Sequence, residues 1–213
     1  MEPLIIDDFL PPPIQTVIHE LLIGPDFTWT FANYSVSSVN LDEYFFTNEP
    51  TKEHIQLRHN FVYDDVINSE YYLFIEPLKF IFESHMKTKV LQTHRIKSNL
   101  LINQKGPHIQ PPHIDIMDFV DEKKDCLGYK TLLYYVNDSD GDTIFYNEYY
   151  TGKPVGLVTE QQRISPKMGR AVIFDSNQLH SGSCPKDSDA RMVINCVFNM
   201  ENVNEFMNLH NIV

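Results

Sequence analysis

Apolar residues recur along the chain with two periods, and the change between them comes near residue 90. Before it, Leu4 to Leu10 reads as a short strand that runs into the stop at Pro11-Pro12-Pro13. Ile14, Val17, Ile18, Leu21 and Leu22 then fall on one helical stripe that Gly24-Pro25 closes. Phe27, Trp29 and Phe31 alternate with Thr28 and Thr30, which predicts a strand with an aromatic face. Asp64-Asp65 is placed to cap a helix carrying Val66, Ile67, Tyr71, Leu73 and Phe74. Pro77 either kinks that helix or opens a second segment through Leu78, Ile81 and Phe82. Residues 34–60 show no sustained period and read as connecting loops with one strand at most.

From Val90 onward the pattern becomes a series of short extended runs. Arg95 to Asn103 alternates, with Arg95, Lys97, Asn99, Leu101 and Asn103 on one side and Ile96, Ser98, Leu100 and Ile102 on the other. Lys130 to Val136 predicts a strand, 137–142 a turn, and Thr143 to Tyr146 a further strand. Ile164 leads into the turn 166–169, followed by strands Ala171 to Phe174 and Arg191 to Phe198; Glu201 to Leu209 predicts a short closing helix. Closely spaced antiparallel strands with polar turns predict a mostly β fold with flanking helices, a jelly-roll or double-sheet barrel. The expected organisation is one domain: a support region over 1–90, a β core over 91–200 and a tail over 201–213.

Charge narrows the partners. With 17 Lys and Arg against 29 Asp and Glu, the formal net charge of -12 repels a phosphate backbone, so nucleic acid is disfavoured as a ligand. The three cysteines, Cys126, Cys184 and Cys196, are widely spaced without a Cys-x-x-Cys pair and read as reduced thiols. The start lacks a basic segment followed by an apolar run, and no stretch is long enough and apolar enough to span a bilayer, so the expectation is a cytoplasmic protein.

The candidate chemistry centres on His113-Ile114-Asp115. In an extended strand, residues two apart face the same side, so a nitrogen donor and an anionic oxygen donor aim at one point. Taken alone, such a tripeptide is more often a surface histidine beside a turn aspartate. His180, on Leu179-His180-Ser181-Gly182, offers the third donor. Two imidazoles and one carboxylate on one face of an octahedral metal leave three positions open, the arrangement expected of a non-haem Fe(II) oxygenase. Eleven residues on, Arg191 shares a strand face with Val193, Asn195 and Val197, opposite the apolar Met192, Ile194, Cys196 and Phe198. If the apolar face packs, Arg191 lines the interior, and a buried guanidinium needs an anionic partner such as a carboxylate ligand.

From about Arg95 to Asn199 the chain resembles the 2-oxoglutarate and Fe(II)-dependent oxygenases, in their prolyl-4-hydroxylase-like branch. The matching pieces are His113-Ile114-Asp115, the strand 132–137, the turn and strand 141–145, Pro166-Lys167-Met168-Gly169, His180, and Arg191 with its strand. The resemblance implies a double-stranded β-helix of cupin-like form with the N-terminal helices packed on its outer sheet. It implies that His113, Asp115 and His180 hold Fe(II), that Arg191 pairs with the distal carboxylate of 2-oxoglutarate, and that Tyr135 gives that carboxylate a hydroxyl donor. Asn103 and Asn195 are carried over as residues facing co-substrate or metal. O2 is the second co-substrate, and ascorbate is a possible stimulant.

Gly141-Asp142 stands where relatives often have two glycines, and Asn103 where an aromatic hydroxyl is common. Halogenating relatives lack the carboxylate that Asp115 supplies, so hydroxylation is the expected reaction, on a peptide, protein or small-molecule substrate. His108 reads as a spectator; Arg95, Lys97 and Asn99 read either as an exposed edge or as the lining of a substrate funnel. Three other classes stay open on the residues alone: a cupin-like metal enzyme without 2-oxoglutarate, a zinc hydrolase, and a noncatalytic jelly-roll binding module.

Overall fold

The computed structural model describes residues 2–32, 45–47, 55–104, 108–116, 128–151 and 153–200. Residues up to Met86 contribute β1 (Leu4–Ile6), α1 (Pro12–Ile23), β2 (Thr30–Ala32), β3 (Phe45–Phe46), β4 (Gln56–Tyr63), β5 (Val66–Ile67), α2 (Tyr72–Ile75) and α3 (Pro77–Met86). Residues from Val90 on add β6 (Val90–Ile102), β7 (Tyr129–Tyr135), β8 (Thr143–Tyr149), β9 (Gly156–Leu157), β10 (Glu160–Ile164), β11 (Ala171–Asp175), β12 (Gln178–Gly182) and β13 (Ala190–Met200).

Two antiparallel sheets organise these strands. The large one runs β1-β11-β7-β13-β6-β4-β2, with β5 paired to β4; the small one runs β10-β8-β12, and β3 pairs with β9 in a separate two-stranded sheet. Isolated bridges Ile109↔Ser183 and His113↔His180 lay residues 109–113 along the free edge of β12 as a fourth row.

Strand alternation decides which residues hold the fold and which face the barrel. On one face of the large sheet, Leu132 and Tyr134 of β7, Ala171 and Ile173 of β11, and Ile194, Cys196 and Phe198 of β13 pack against Ile18, Leu22, Ile75, Leu78 and Phe82 from the helices. Phe82 and Phe198, both fully buried, meet with ring centroids 4.9 Å apart. Burying a side chain of this size contributes about 1.5–3 kcal/mol. On the other face, Leu133, Tyr135, Val172, Phe174 and Val193 meet Phe145 and Ile164 of the small sheet. The mostly β fold with helices on one outer face is therefore the one the sequence pattern predicts.

Several elements differ from expectation. Asp64 and Asp65 do not cap a helix: both have positive φ, 45° and 61°, and form the two-residue turn of a hairpin between β4 and β5. Short acidic side chains tolerate the left-handed region, so the same Asp pair serves a tight turn as readily as a helix start. Val66 and Ile67 are consequently exposed strand residues, and the helix begins at Tyr72. Of the predicted strand at Phe27–Phe31 only Thr30 and Phe31 are extended, in β2; Phe27 instead packs against Trp29, His59 and Tyr71. The stretch 34–60 holds β3 and the start of β4, two strands where one at most was expected; α1 starts at Pro12 with Val17 off its buried stripe, and β6 begins at Val90. The expected helix over 201–209 and Cys126 lie outside the described residues.

The loop before β13 is held by one carboxylate. Asp140 accepts hydrogen bonds from the backbone N–H groups of Lys186 and Asp187 at 2.9 Å and of Ser188 at 3.0 Å. Burial alone raises the Asp140 carboxyl, but these donors outweigh it and hold it well below the usual carboxylate range. Asp140→Ala should destabilise the protein by about 2 kcal/mol, seen as a lower urea midpoint at unchanged slope. A depressed folded-state pKa contributes stability above the ordinary value of 3.8 that is lost as pH falls below it, so the difference between wild type and variant should shrink in acid.

Candidate active site

Both imidazoles are placed by the bridge between residues 113 and 180. The backbone N–H of His113 donates to His180 O at 2.9 Å, and that of His180 to His113 O at 3.0 Å. Their ring centroids lie 4.4 Å apart. Each ring is oriented in the same way: His113 Nδ1 stands 3.1 Å from Pro111 O, and His180 Nδ1 3.0 Å from Gln178 O. A carbonyl only accepts, so Nδ1 carries the hydrogen in each ring and Nε2 keeps its lone pair. His180 is further wedged against Phe145 and Phe174, with centroids at 6.0 and 4.9 Å. Burial, with His180 acting in the same direction, pushes His113 down to about 3, so its imidazole is neutral at physiological pH.

Asp115 arrives two residues after the bridge, its backbone N–H donating to Ser176 O at 3.0 Å. Its carboxylate is 6% exposed. Asn195 Nδ2 donates to both carboxylate oxygens at 3.0 Å, and Arg95 Nη2 donates to Oδ1 at 3.1 Å and to Asn195 Oδ1 at 3.3 Å. Burial raises this carboxyl, yet the combined field of His180, Arg95, His113 and Lys97 holds it well below the usual range and therefore ionised.

His180 Nε2 and Asp115 Oδ2 are 3.5 Å apart. Among the described residues, no group of three or more His, Cys, Asp or Glu is drawn to full ligand spacing around one point. The donor chemistry nevertheless fits a divalent cation. Two atoms at 3.5 Å can share an ion at ligand distances of about 2.1 Å, the second imidazole stands beside them, and both rings have the right nitrogen free. His113, Asp115 and His180 are the residues that would hold it.

Further along the same interior face of β13 lies Arg191, 4% exposed. Its Nη2 donates to Thr143 Oγ1 at 2.7 Å, and Tyr135 OH donates to the same oxygen at 2.7 Å. The guanidinium carbon lies 5.7 Å from the Tyr135 ring centroid, while Nε is buried with no hydrogen-bond partner. Among the described residues, no carboxylate forms an ion pair with Arg191. Burial pushes the guanidinium down and the Tyr135 phenol up, as expected of polar groups in a dry pocket. Gly141 makes room here, since a Cβ on it would stand 2.7 Å from Ser183 O and 2.9 Å from Arg191 Cδ. Arg191 and Asn195, four residues apart on one strand face, are separated by about 13 Å of backbone.

The structure thus brings His113, Asp115, His180 and Asn195 into one cluster and Arg191 with Tyr135 into a second on the same interior. Asn103 goes elsewhere. Its Nδ2 donates to Lys186 O at 2.6 Å and Ser188 O at 3.3 Å, so the amide fastens the loop before β13. Two contributors went unrecognised in the sequence reading. Arg95, taken there as edge or funnel, is bonded to Asp115; Thr143 links Tyr135 to Arg191. Alternation in β8, which sets Thr143 and Phe145 inward, carried a signal for the latter.

Comparison with known proteins bears on the family and the fold. Residues 100–199 match the family model described as the 2OG-Fe(II) oxygenase superfamily. No curated protein matches the sequence. Among solved structures, an oxidoreductase of the 2OG-Fe(II) oxygenase family from Burkholderia pseudomallei superposes with a TM-score of 0.59 at 10% identity, over 92% of this chain and 84% of that one. The α-ketoglutarate-dependent epimerase SnoN of nogalamycin biosynthesis gives 0.56 at 11% identity, over 92% and 76%. A Pseudomonas putida prolyl-4-hydroxylase gives 0.51 at 11% identity, over 93% and 92%. At these identities the superpositions show a shared fold. Residues 100–199, a little under half of the chain, are thus similar to the 2OG-Fe(II) oxygenase superfamily, and the chain shares the fold of solved proteins of that kind.

Proposed function

We propose that this enzyme hydroxylates an unactivated C–H bond of a peptide or amino-acid substrate, using Fe(II) held by His113, Asp115 and His180 and 2-oxoglutarate anchored on Arg191. The carrying observation is the buried guanidinium of Arg191, with Nε unsatisfied and no ion-pairing carboxylate among the described residues. A charge so placed is costly unless a ligand supplies its counter-ion. A cupin-like enzyme or a binding module without an anionic ligand gives no reason for it.

Each part of the chain has a task in the reaction. Arg191 binds one carboxylate of the co-substrate, and Tyr135 and Thr143 offer hydroxyls beside it. Phe145, Phe174, Leu133 and Val193 exclude water from the interior between the two clusters. Asn195 and Arg95 fix the carboxylate of Asp115, and the carbonyls of Pro111 and Gln178 fix the imidazoles. Bound Fe(II) and 2-oxoglutarate supply the oxidising chemistry: with O2, the co-substrate is converted to succinate and CO2, and one oxygen atom goes to the substrate C–H. Resemblance to prolyl hydroxylases supports a peptide substrate.

Purified protein given Fe(II), 2-oxoglutarate and O2 should release succinate slowly even without primary substrate. Absence of both succinate and 2-oxoglutarate binding in the wild type would end this reading.

A further inference from the structure

We propose that Lys97 and Arg58 form an anion-binding subsite at the mouth of the barrel, which selects a primary substrate carrying a carboxylate or phosphate group. The inference rests on the oxygenase reading above, because it needs a substrate to be held beside the Asp115 cluster.

The geometry follows from strand register. In β6, Ile96 is buried in the helix-side core and Leu100 packs against it, so Arg95, Lys97 and Asn99 face the barrel. Arg95 shows where that face leads, since its guanidinium reaches Asp115. Lys97 lies directly opposite Asn195 of β13, whose amide holds the same carboxylate, and opposite Asn60 of β4 on its other side. Arg58 of β4 is opposite Asn99, which places it diagonally from Lys97, roughly 7–8 Å away on one surface. The set grades outward: Asp115 is buried, Lys97 is partly exposed at the rim, and Arg58 is exposed.

Among the described residues, three cations therefore share this face of the sheet with one carboxylate, and that carboxylate is already taken by Arg95 and Asn195. Neither Lys97 nor Arg58 has a hydrogen-bond or ion-pair partner among the described residues. In a chain of net charge -12 this concentration does not come from composition. Such a focus of one sign at a cleft attracts the opposite sign. The Lys97 ammonium also lies where water is scarce: burial first, then repulsion from Arg95, pushes its amine down to about 7. Asp115, the one anion that acts on it, is held by Arg95 and Asn195, and exposure rises from Lys97 toward Arg58.

The test uses the full chain loaded with Mn(II) and 2-oxoglutarate, titrated calorimetrically with four blocked amino acids: N-acetyl amides of aspartate, phosphoserine, asparagine and lysine. The aspartyl or phosphoseryl probe should bind at least about tenfold more tightly than the asparaginyl one, and their order tells carboxylate from phosphate. Lys97→Met should bring the preference close to one, Arg58→Gln should reduce it, and Lys97→Arg should keep it. The proposal is overturned if neither anionic probe outbinds the neutral one, or if the preference survives both charge-removing substitutions. Binding of 2-oxoglutarate in the same samples reports folding and separates the two readings. If it binds and no anion preference appears, only the subsite fails; if it does not bind, the oxygenase reading fails as well.

Discussion

Arg191→Ala should raise the dissociation constant for 2-oxoglutarate by about 100-fold or more, since truncating one side of a buried charge pair costs about 2–5 kcal/mol. Affinity for Mn(II) in the absence of 2-oxoglutarate should stay within a few-fold of wild type, because Arg191 is bonded to Thr143 and not to the Asp115 cluster. A purely structural arginine gives a different result. Its loss would lower thermal stability and weaken metal and co-substrate binding together. Arg191→Lys separates the cases further: it keeps the charge but loses the planar fork, so co-substrate affinity should fall by an intermediate amount.

The second large effect is expected at His180. His180→Ala should weaken divalent metal binding by more than the roughly 10–100-fold that losing an outer-shell partner costs. Asn195→Ala, which removes the amide on both oxygens of Asp115, should fall within that outer-shell range. Direct titration with Mn(II) measures both without depending on turnover. If His180→Ala binds Mn(II) as wild type does, the ligand set is wrong. If Asn195→Ala costs more than His180→Ala, the two roles are reversed.

Much of the barrel was legible because its strands obey one simple rule. In β7, β11 and β13 each residue faces either the helices or the barrel, and alternation of side-chain character shows this directly. What failed was local and physical. The Asp64-Asp65 pair satisfies the chemistry of a helix cap and of a tight turn equally, and only its pairing with β6 through β4 decides. His113, Asp115 and His180 were readable as donor types at suitable spacing. Their carbonyl anchors were not, because Pro111 O and Gln178 O are backbone atoms that leave no mark in side-chain identity. Asn103 was misplaced because its alternation is right but its position is not: it lies just past the end of β6, where the chain meets the loop held by Asp140.

The two-faced strands of the large sheet have a consequence for how such a protein could change over generations. Along β13, residues 192, 194, 196 and 198 are answerable to the helices, while 191 and 195 are answerable to whatever enters the barrel. Selection on one set leaves the other untouched. A new specificity can thus be sought at Lys97 and Asn99 of β6, which share the barrel face without belonging to the Asp115 or Arg191 clusters, while the helix-facing residues of the same strand stay as they are.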